Sequence, residues 1–455
     1  MTVFGKNLRV DLTVDDIPKF WYNITPDMPE PCPPPLKAAT KTPAGPEDLW
    51  FFPKALIMQE VSAERFIAIP NEVREILVKL SRPTPLFRAN RLEEALNTPA
   101  EIYYKYEGIS PLGSHKGNTA IAQAYYNKKE GIQRLITETG AGQWGTALAL
   151  ACAFFDMKCT VFMTRASHDQ KPYRRTIMEL YGAEVHASPS LMTDFGKKLR
   201  AENPNHPGSL GVAITEAIES VKKDPTSKYA LGSVTNFVLL HQTVIGQEAR
   251  QQMALIDKTP DYVMGCVGGG SNYAGLAYPL IYDKMQGKNN ATFFSVEPTA
   301  VPSFTRGIYT YDFGDTGGMT PLFPMYTVGH NFVTPPIHAG GLRYHGKSYS
   351  MSVLVKHKAI TPLAVGQKEV FDAGKLFAKC EGIVPAPESA HAICAALDVA
   401  RACKAKGERK VILFNLSGHG LLDLGGYGEY LDGRLANNCV PKELALSDLP
   451  YEGAL

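Results

Sequence analysis

The stretch Gly113-Ser114-His115-Lys116-Gly117-Asn118 sets a lysine between an expected strand, Glu101 to Tyr106, and an expected small-residue helix, Thr119 to Tyr126. A lysine at such a junction can reach into a cleft. Desolvation there lowers its pKa and makes it a nucleophile toward an aldehyde. At the next strand-to-helix junction Glu138 precedes Thr139-Gly140-Ala141-Gly142-Gln143-Trp144-Gly145. The N–H groups of that loop suit a carboxylate, and an acid beside them suits general acid–base work. At a third junction the strand Tyr262 to Val267 feeds Gly268-Gly269-Gly270-Ser271-Asn272, which opens a helix. Free N–H groups at a helix start bind phosphate, and glycines permit close approach. The loop fits neither G-x-G-x-x-G nor G-x-x-x-x-G-K-[ST], which argues against a dinucleotide or ATP. Ser417 ends an apolar strand in a Ser-Gly-His-Gly turn, where a hydroxyl can meet a ring nitrogen.

Each signal alone has a plainer reading: a solvated lysine, a capping glutamate or serine, a tight turn, a packing histidine at position 115. Together, an amine, an acid and an anion loop at strand ends describe a site for a phosphorylated aldehyde, pyridoxal phosphate. The elements that must position them alternate strand and helix from about Ala100 onward. Strands are expected at Arg134 to Thr137, Cys159 to Met163, Ala183 to Ala187, Thr292 to Val296 and Val411 to Leu416. Helices are expected at Asn118 to Lys129, Gln143 to Phe155, Tyr173 to Tyr181, Ser209 to Val221, Phe237 to Leu255, Tyr273 to Asp283, Val365 to Cys380 and Ser389 to Lys406, with a loop at Lys222 to Lys228. Strands separated by helices of this length imply parallel sheets covered on both faces, an α/β fold.

At 455 residues the chain exceeds one ordinary core, so two α/β domains are expected. Residues 1–75 read as an arm, because Pro29 to Pro35 excludes helix and central strand. An N-terminal domain follows over 76–250 and a C-terminal one over 251–455. The aperiodic stretch 298–348 reads as an insertion. With 47 Lys+Arg against 45 Asp+Glu and no basic stripe, neither nucleic acid nor an anionic membrane is implied. The eight cysteines show no C-x-x-C spacing and read as buried thiols in a reducing cytoplasm. Met1 to Asp11 lacks the apolar core of a leader, and Thr146 to Phe155 falls short of the ~20 apolar residues that span a bilayer.

Over about residues 80–425 the chain resembles the β chain of tryptophan synthase, a fold-type II pyridoxal-phosphate enzyme. The resemblance rests on Arg82-Pro-Thr-Pro-Leu, the Lys116 and Glu138 stretches, Gly182-Ala-Glu-Val, the glycine loop, Glu381-Gly-Ile-Val-Pro-Ala-Pro-Glu-Ser-Ala-His-Ala and Ser417-Gly-His-Gly. The arm, Trp144 and Gly341-Leu-Arg-Tyr-His-Gly are similar to the divergent second type of that chain.

The resemblance implies a cofactor cleft between the two domains and a mobile subdomain, about 130–225, that closes over substrate. It implies that Lys116 carries the cofactor and moves the α-proton. It implies that His115, Asn118, Gly268, Gly269, Gly270, Ser271, Asn272, Glu381 and Ser417 hold the cofactor, with Ser417 at the pyridine nitrogen. Thr139, Gly140, Ala141, Gly142, Gln143 and Trp144 would receive the amino acid, and Glu138 would orient indole and take its N–H proton. The implied reaction is β-replacement, forming L-tryptophan from indole and L-serine or O-phospho-L-serine in a cytoplasmic homodimer. No metal ligand set is expected; a monovalent cation and an α chain partner both stay open. Trp144 stands where the ordinary β chain has His, and Arg343 where it has an Asp that senses the serine hydroxyl. An arginine there attracts phosphate, which points to O-phosphoserine as donor; alternatively Arg343 pairs with Glu138 or Glu381 and shuts the empty site. Serine or threonine deamination on the same fold is the alternative activity, since it needs Lys116, the phosphate loop and Ser417 but not Glu138.

Overall fold

The computed structural model describes residues 7–436, 441–451 and 455. Met1 to Lys6 and Cys439 therefore lie outside the described residues.

Two parallel sheets carry the molecule. The larger has seven strands in the order Arg9–Val10, Leu86–Arg88, Glu101–Tyr106, Val411–Leu416, Tyr262–Cys266, Thr292–Pro298 and Thr361–Val365. Its last five strands run parallel and the first two pair antiparallel. The smaller has four parallel strands in the order Glu184–Ser188, Lys158–Thr164, Arg134–Thr139 and Ser227–Tyr229. Helices cover both faces, so central strands such as Val411–Leu416 are almost wholly buried and read as continuous apolar runs. The break expected at residue 250 does not divide the sheets. Glu101–Tyr106 pairs with Val411–Leu416, so the larger sheet draws strands from both sides of that boundary. The smaller sheet draws all its strands from residues 134–229.

The elements match their periodicity except where side chains intervene. The expected helix Phe237 to Leu255 is two, Asn236–Gln242 and Val244–Leu255, broken at Thr243. Thr243 Oγ1 donates to Leu240 O at 2.7 Å and accepts Tyr22 N–H at 2.9 Å, so its hydroxyl competes for the backbone. The stretch 298–348 holds an antiparallel hairpin, Ile308–Phe313 with Leu322–Thr327. Its strands are covered on both faces, which removes the polar alternation that would have marked them. The arm is no loose strap: Trp21, Tyr22, Phe51 and Leu56 are buried in the main core, and the Leu36 backbone pairs with Leu322.

Five loops leave carboxyl ends of these strands, after Tyr106, Thr139, Tyr229, Cys266 and Leu416. Open α/β sheets bind ligands in the crevice outside those ends.

Candidate active site

Lys116, Glu138, Thr139, Gly140, Ala141, Gln143, Trp144 and Gly269 line one cavity, with Gly232, Ser233, Gly341 and Tyr344. Lys116 is the N-cap of helix Gly117–Lys129, and its Nζ donates to Ser271 Oγ at 2.8 Å and to Gly232 O at 2.5 Å. Burial pulls its pKa down from 10.5 to about 8, against the attraction of Glu138, Cys266 and Glu388. Glu138 is buried on the strand Arg134–Thr139 and accepts a hydrogen bond from Tyr229 Oη. Burial lifts its pKa from 4.5 to about 7, against hydrogen bonds from Tyr229 and Thr137 and the charge of Lys116. An amine near 8 and an acid near 7 in one cavity are both poised to exchange protons at neutral pH.

Backbone conformation shapes the two anion loops. Gly142 caps helix Gln143–Phe154 at φ +95°, and Gly270 precedes helix Ser271–Met285 at φ +128°. L-residues rarely adopt either. At Gly268 an added Cβ would meet Gly341 O at 2.5 Å, and at Gly269 it would meet Ser233 Oγ at 2.5 Å. The loop is thus a glycine cradle at a helix N-terminus, closed to any side chain, with a buried amine hydrogen-bonded to its Ser271. That is the donor set a phosphorylated aldehyde requires, and the residues present fit pyridoxal phosphate.

His115 is buried beside the cradle, its Nε2 3.2 Å from Ser271 Oγ. Burial and the neighbouring Lys116 lower its pKa to about 3, so the ring is neutral. Ser417 Oγ lies 2.7 Å from Ser389 Oγ and 3.7 Å from Cys266 Sγ, at the end of the central strand. Asn272 faces the sheet: its Nδ2 donates to Cys266 O at 3.0 Å and its Oδ1 accepts from Asn415 Nδ2 at 2.6 Å.

Three expectations need correction. The side chain of Asn118 points beneath the site, where it bonds Arg82 Nη1 at 2.8 Å and Gln242 Oε1 at 2.9 Å, inside the buried Arg82–Glu107–Glu248 network. Glu381 ends helix Gln367–Glu381 and accepts Leu92 N–H at 3.0 Å, away from the cavity. The acid of that stretch nearer the site is Glu388, in the first turn of helix Pro387–Lys406, where its charge acts on Lys116. Its Oε1 accepts Gly341 N–H at 2.9 Å, and its Oε2 lies 3.4 Å from Gln143 Nε2. Arg343 pairs with neither Glu138 nor Glu381. It lies between the wall residues Gly341 and Tyr344 and donates to Ser167 Oγ at 2.5 Å. Burial lowers its pKa to about 10, opposed by Glu388, and it joins no ion pair among the described residues.

The sequence reading missed Glu388, Tyr229, Gly232 and Ser233. The last two follow the strand Ser227–Tyr229 at another strand-to-helix junction, the rule that located the other loops. That strand has three residues, too few for its periodicity to show. Among the described residues no cluster of His, Cys, Asp and Glu could hold a metal ion.

A family model described as pyridoxal-phosphate dependent enzyme matches residues 78–418. The chain is 60% identical over 442 residues to tryptophan synthase beta chain 2 of Aeropyrum pernix, covering 96% of this chain and 98% of that one. It is 59% identical over 442 residues to tryptophan synthase beta chain 2 of Pyrococcus furiosus, covering 97% and 99%. Among solved structures it matches a T.th. threonine deaminase at TM-score 0.56 and 18% identity, over 76% of this chain and 97% of that one. It matches a fungal L-serine ammonia-lyase from Rhizomucor miehei at TM-score 0.57 and 18% identity, over 77% and 98%. These two share the fold.

Proposed function

This chain belongs to the pyridoxal-phosphate dependent enzymes, among the tryptophan synthase β chains, and forms L-tryptophan with that cofactor; on that premise we propose how its own residues divide the work. Bound pyridoxal phosphate supplies the electron sink that lets an amino acid exchange its β-substituent. Lys116 holds the cofactor's aldehyde and returns the α-proton. Gly268, Gly269, Gly270 and Ser271 hold the phosphate at the helix start, with the neutral His115 beside them. Ser417 would hold the ring nitrogen. The N–H groups from Thr139 to Gln143 receive the amino acid carboxylate, and Glu388 ties that helix start to Gly341. Trp144 walls the pocket for indole. Glu138 orients indole and takes its N–H proton as the new bond forms. Movement of residues 130–225 over the substrate excludes water.

One observation carries this reading: a buried acid near neutrality shares the cavity with the lysine. Deamination has no use for such an acid. Tryptophan formation from indole and serine or O-phosphoserine, with little pyruvate released, is the expected result. Pyruvate and ammonia as the main products, with indole unconsumed, would favour the deaminase.

The donor belongs to the same proposal. Arg343 is a buried cation beside the cavity whose one side-chain hydrogen bond among the described residues goes to a neutral serine. A donor phosphate gives it the anion it lacks, so O-phosphoserine is the better donor. A homodimer in the cytoplasm is also part of this reading. The described cysteines are all free, and no described helix is long and apolar enough to cross a membrane. Sedimentation of the chain, alone and with an α chain, tests both the dimer and the partner.

A further inference from the structure

Tyr229 ends the strand that pairs with the Glu138 strand, with Tyr229 opposite Ile136. Its side chain is buried and its hydroxyl donates to Glu138 Oε2. Thr137 Oγ1 also lies 3.4 Å from that oxygen, but it is committed to Ala230 O at 2.5 Å while accepting Trp144 Nε1 at 2.7 Å. Tyr229 is therefore the strong donor to Glu138 among the described residues.

Tyr229 is itself held by the arm. Its N–H donates to Phe51 O at 2.8 Å, and its ring lies 6.0 Å from that of Phe51 and 5.7 Å from that of Phe52. Lys228 Nζ on the same strand donates to Trp50 O. A fixed phenol leaves Glu138 one favoured rotamer and one oxygen free to face the cavity.

We propose that Tyr229 is a positioning residue for Glu138 and that the arm, through Phe51 and Phe52, holds it in place. The arm is then a working part of the site and not only packing. This rests on the reading of Glu138 as the base for indole. The other groups facing Glu138 are Lys116 across the cavity and Tyr344, with Asp312 and Asp315 behind it. The helices Gln143–Phe154 and Leu210–Lys223 face it with Gln143, Trp144, Leu210 and Ile214, which carry no charge.

Tyr229→Phe keeps the ring and removes the donor. In the holoenzyme, the pH dependence of kcat for tryptophan formation is compared with that for serine deamination without indole. Losing a charge-assisted hydrogen bond raises the pKa of the carboxylate, so the acid limb of tryptophan formation moves alkaline by about one pH unit. The deamination profile stays where it was. Phe52→Leu, which loosens the ring from behind, moves the same limb in the same direction by less. An unmoved limb in Tyr229→Phe overturns the proposal, and so does an equal loss of both reactions in both variants. Glu138→Ala, run alongside, separates the failures. If it still makes tryptophan, the reading of Glu138 fails; if it does not and Tyr229→Phe is silent, only the positioning role fails.

Discussion

Replacing Arg343 by Gln separates binding from stability. Burial brings the Arg343 pKa from 12.5 to about 10. At about 1.4 kcal/mol per pH unit, its charge costs the native state about 3 kcal/mol. The side chain is charged in both folded and unfolded chains at pH 7, so the cost is fully present there and fades only as pH rises through 10. Gln removes that cost and forfeits the Ser167 hydrogen bond, which a charged donor makes worth about 1.5–3 kcal/mol, so the donor-free protein should gain up to about 1.5 kcal/mol. Hydrogen bonds to charged groups contribute about 1.5–3 kcal/mol, so kcat/KM for O-phosphoserine should fall roughly 10- to 100-fold while that for serine changes little. The assays are thermal melting without donor and tryptophan formation with each donor at fixed indole. A variant that melts lower, or keeps the wild-type ratio between donors, would refute the argument.

Four further outcomes follow from named contacts. Glu138→Ala should abolish tryptophan formation while serine deamination persists, as pyruvate release measures directly. In the wild type, the proposed role of Glu138, which needs the carboxylate ionised, places the acid limb of tryptophan formation near pH 7. Burial would raise the pKa of Glu107, but Arg82 and Lys105 outweigh it and hold it at about 2. Its stabilisation is then present above about pH 4.5 and lost as pH falls toward 2, and Arg82→Met, which takes from Glu107 its direct ion-pair partner and leaves Glu248 with Lys105 alone, should cost about 3–5 kcal/mol by denaturant melt. Gly142→Ala should cut kcat/KM for the amino acid without unfolding the chain, since it combines φ +95° with a Cβ only 2.8 Å from Arg174 Cβ.

Much of the site was legible because its parts sit at strand-to-helix junctions, where chain direction fixes where a side chain points. Lys116, Glu138 and the glycine loop needed only their neighbours to be read. Side-chain direction past the first turn was not legible. Asn118 and Lys116 are two residues apart on one helix start, yet one enters the buried Arg82 network and the other the cavity. Glu381 and Glu388 flank one short turn. Which acid faces the site depends on the left-handed Gly382, at φ +73°, turning the chain back across the sheet end. Strand Thr361–Val365 was hidden by Pro362, which is tolerated because this strand lies at the sheet edge. The arm's link to Glu138 through Tyr229 was invisible because nothing local in Trp50-Phe51-Phe52 marks a contact with residues so distant in sequence.

The most direct test of the account is the site of covalent attachment. The purified chain is loaded with pyridoxal phosphate, reduced with borohydride, digested and mapped by mass spectrometry. The account predicts a yellow protein that carries the reduced cofactor on Lys116 and makes tryptophan before reduction but not after. A colourless protein that takes up no cofactor, or a label on another lysine, would contradict it.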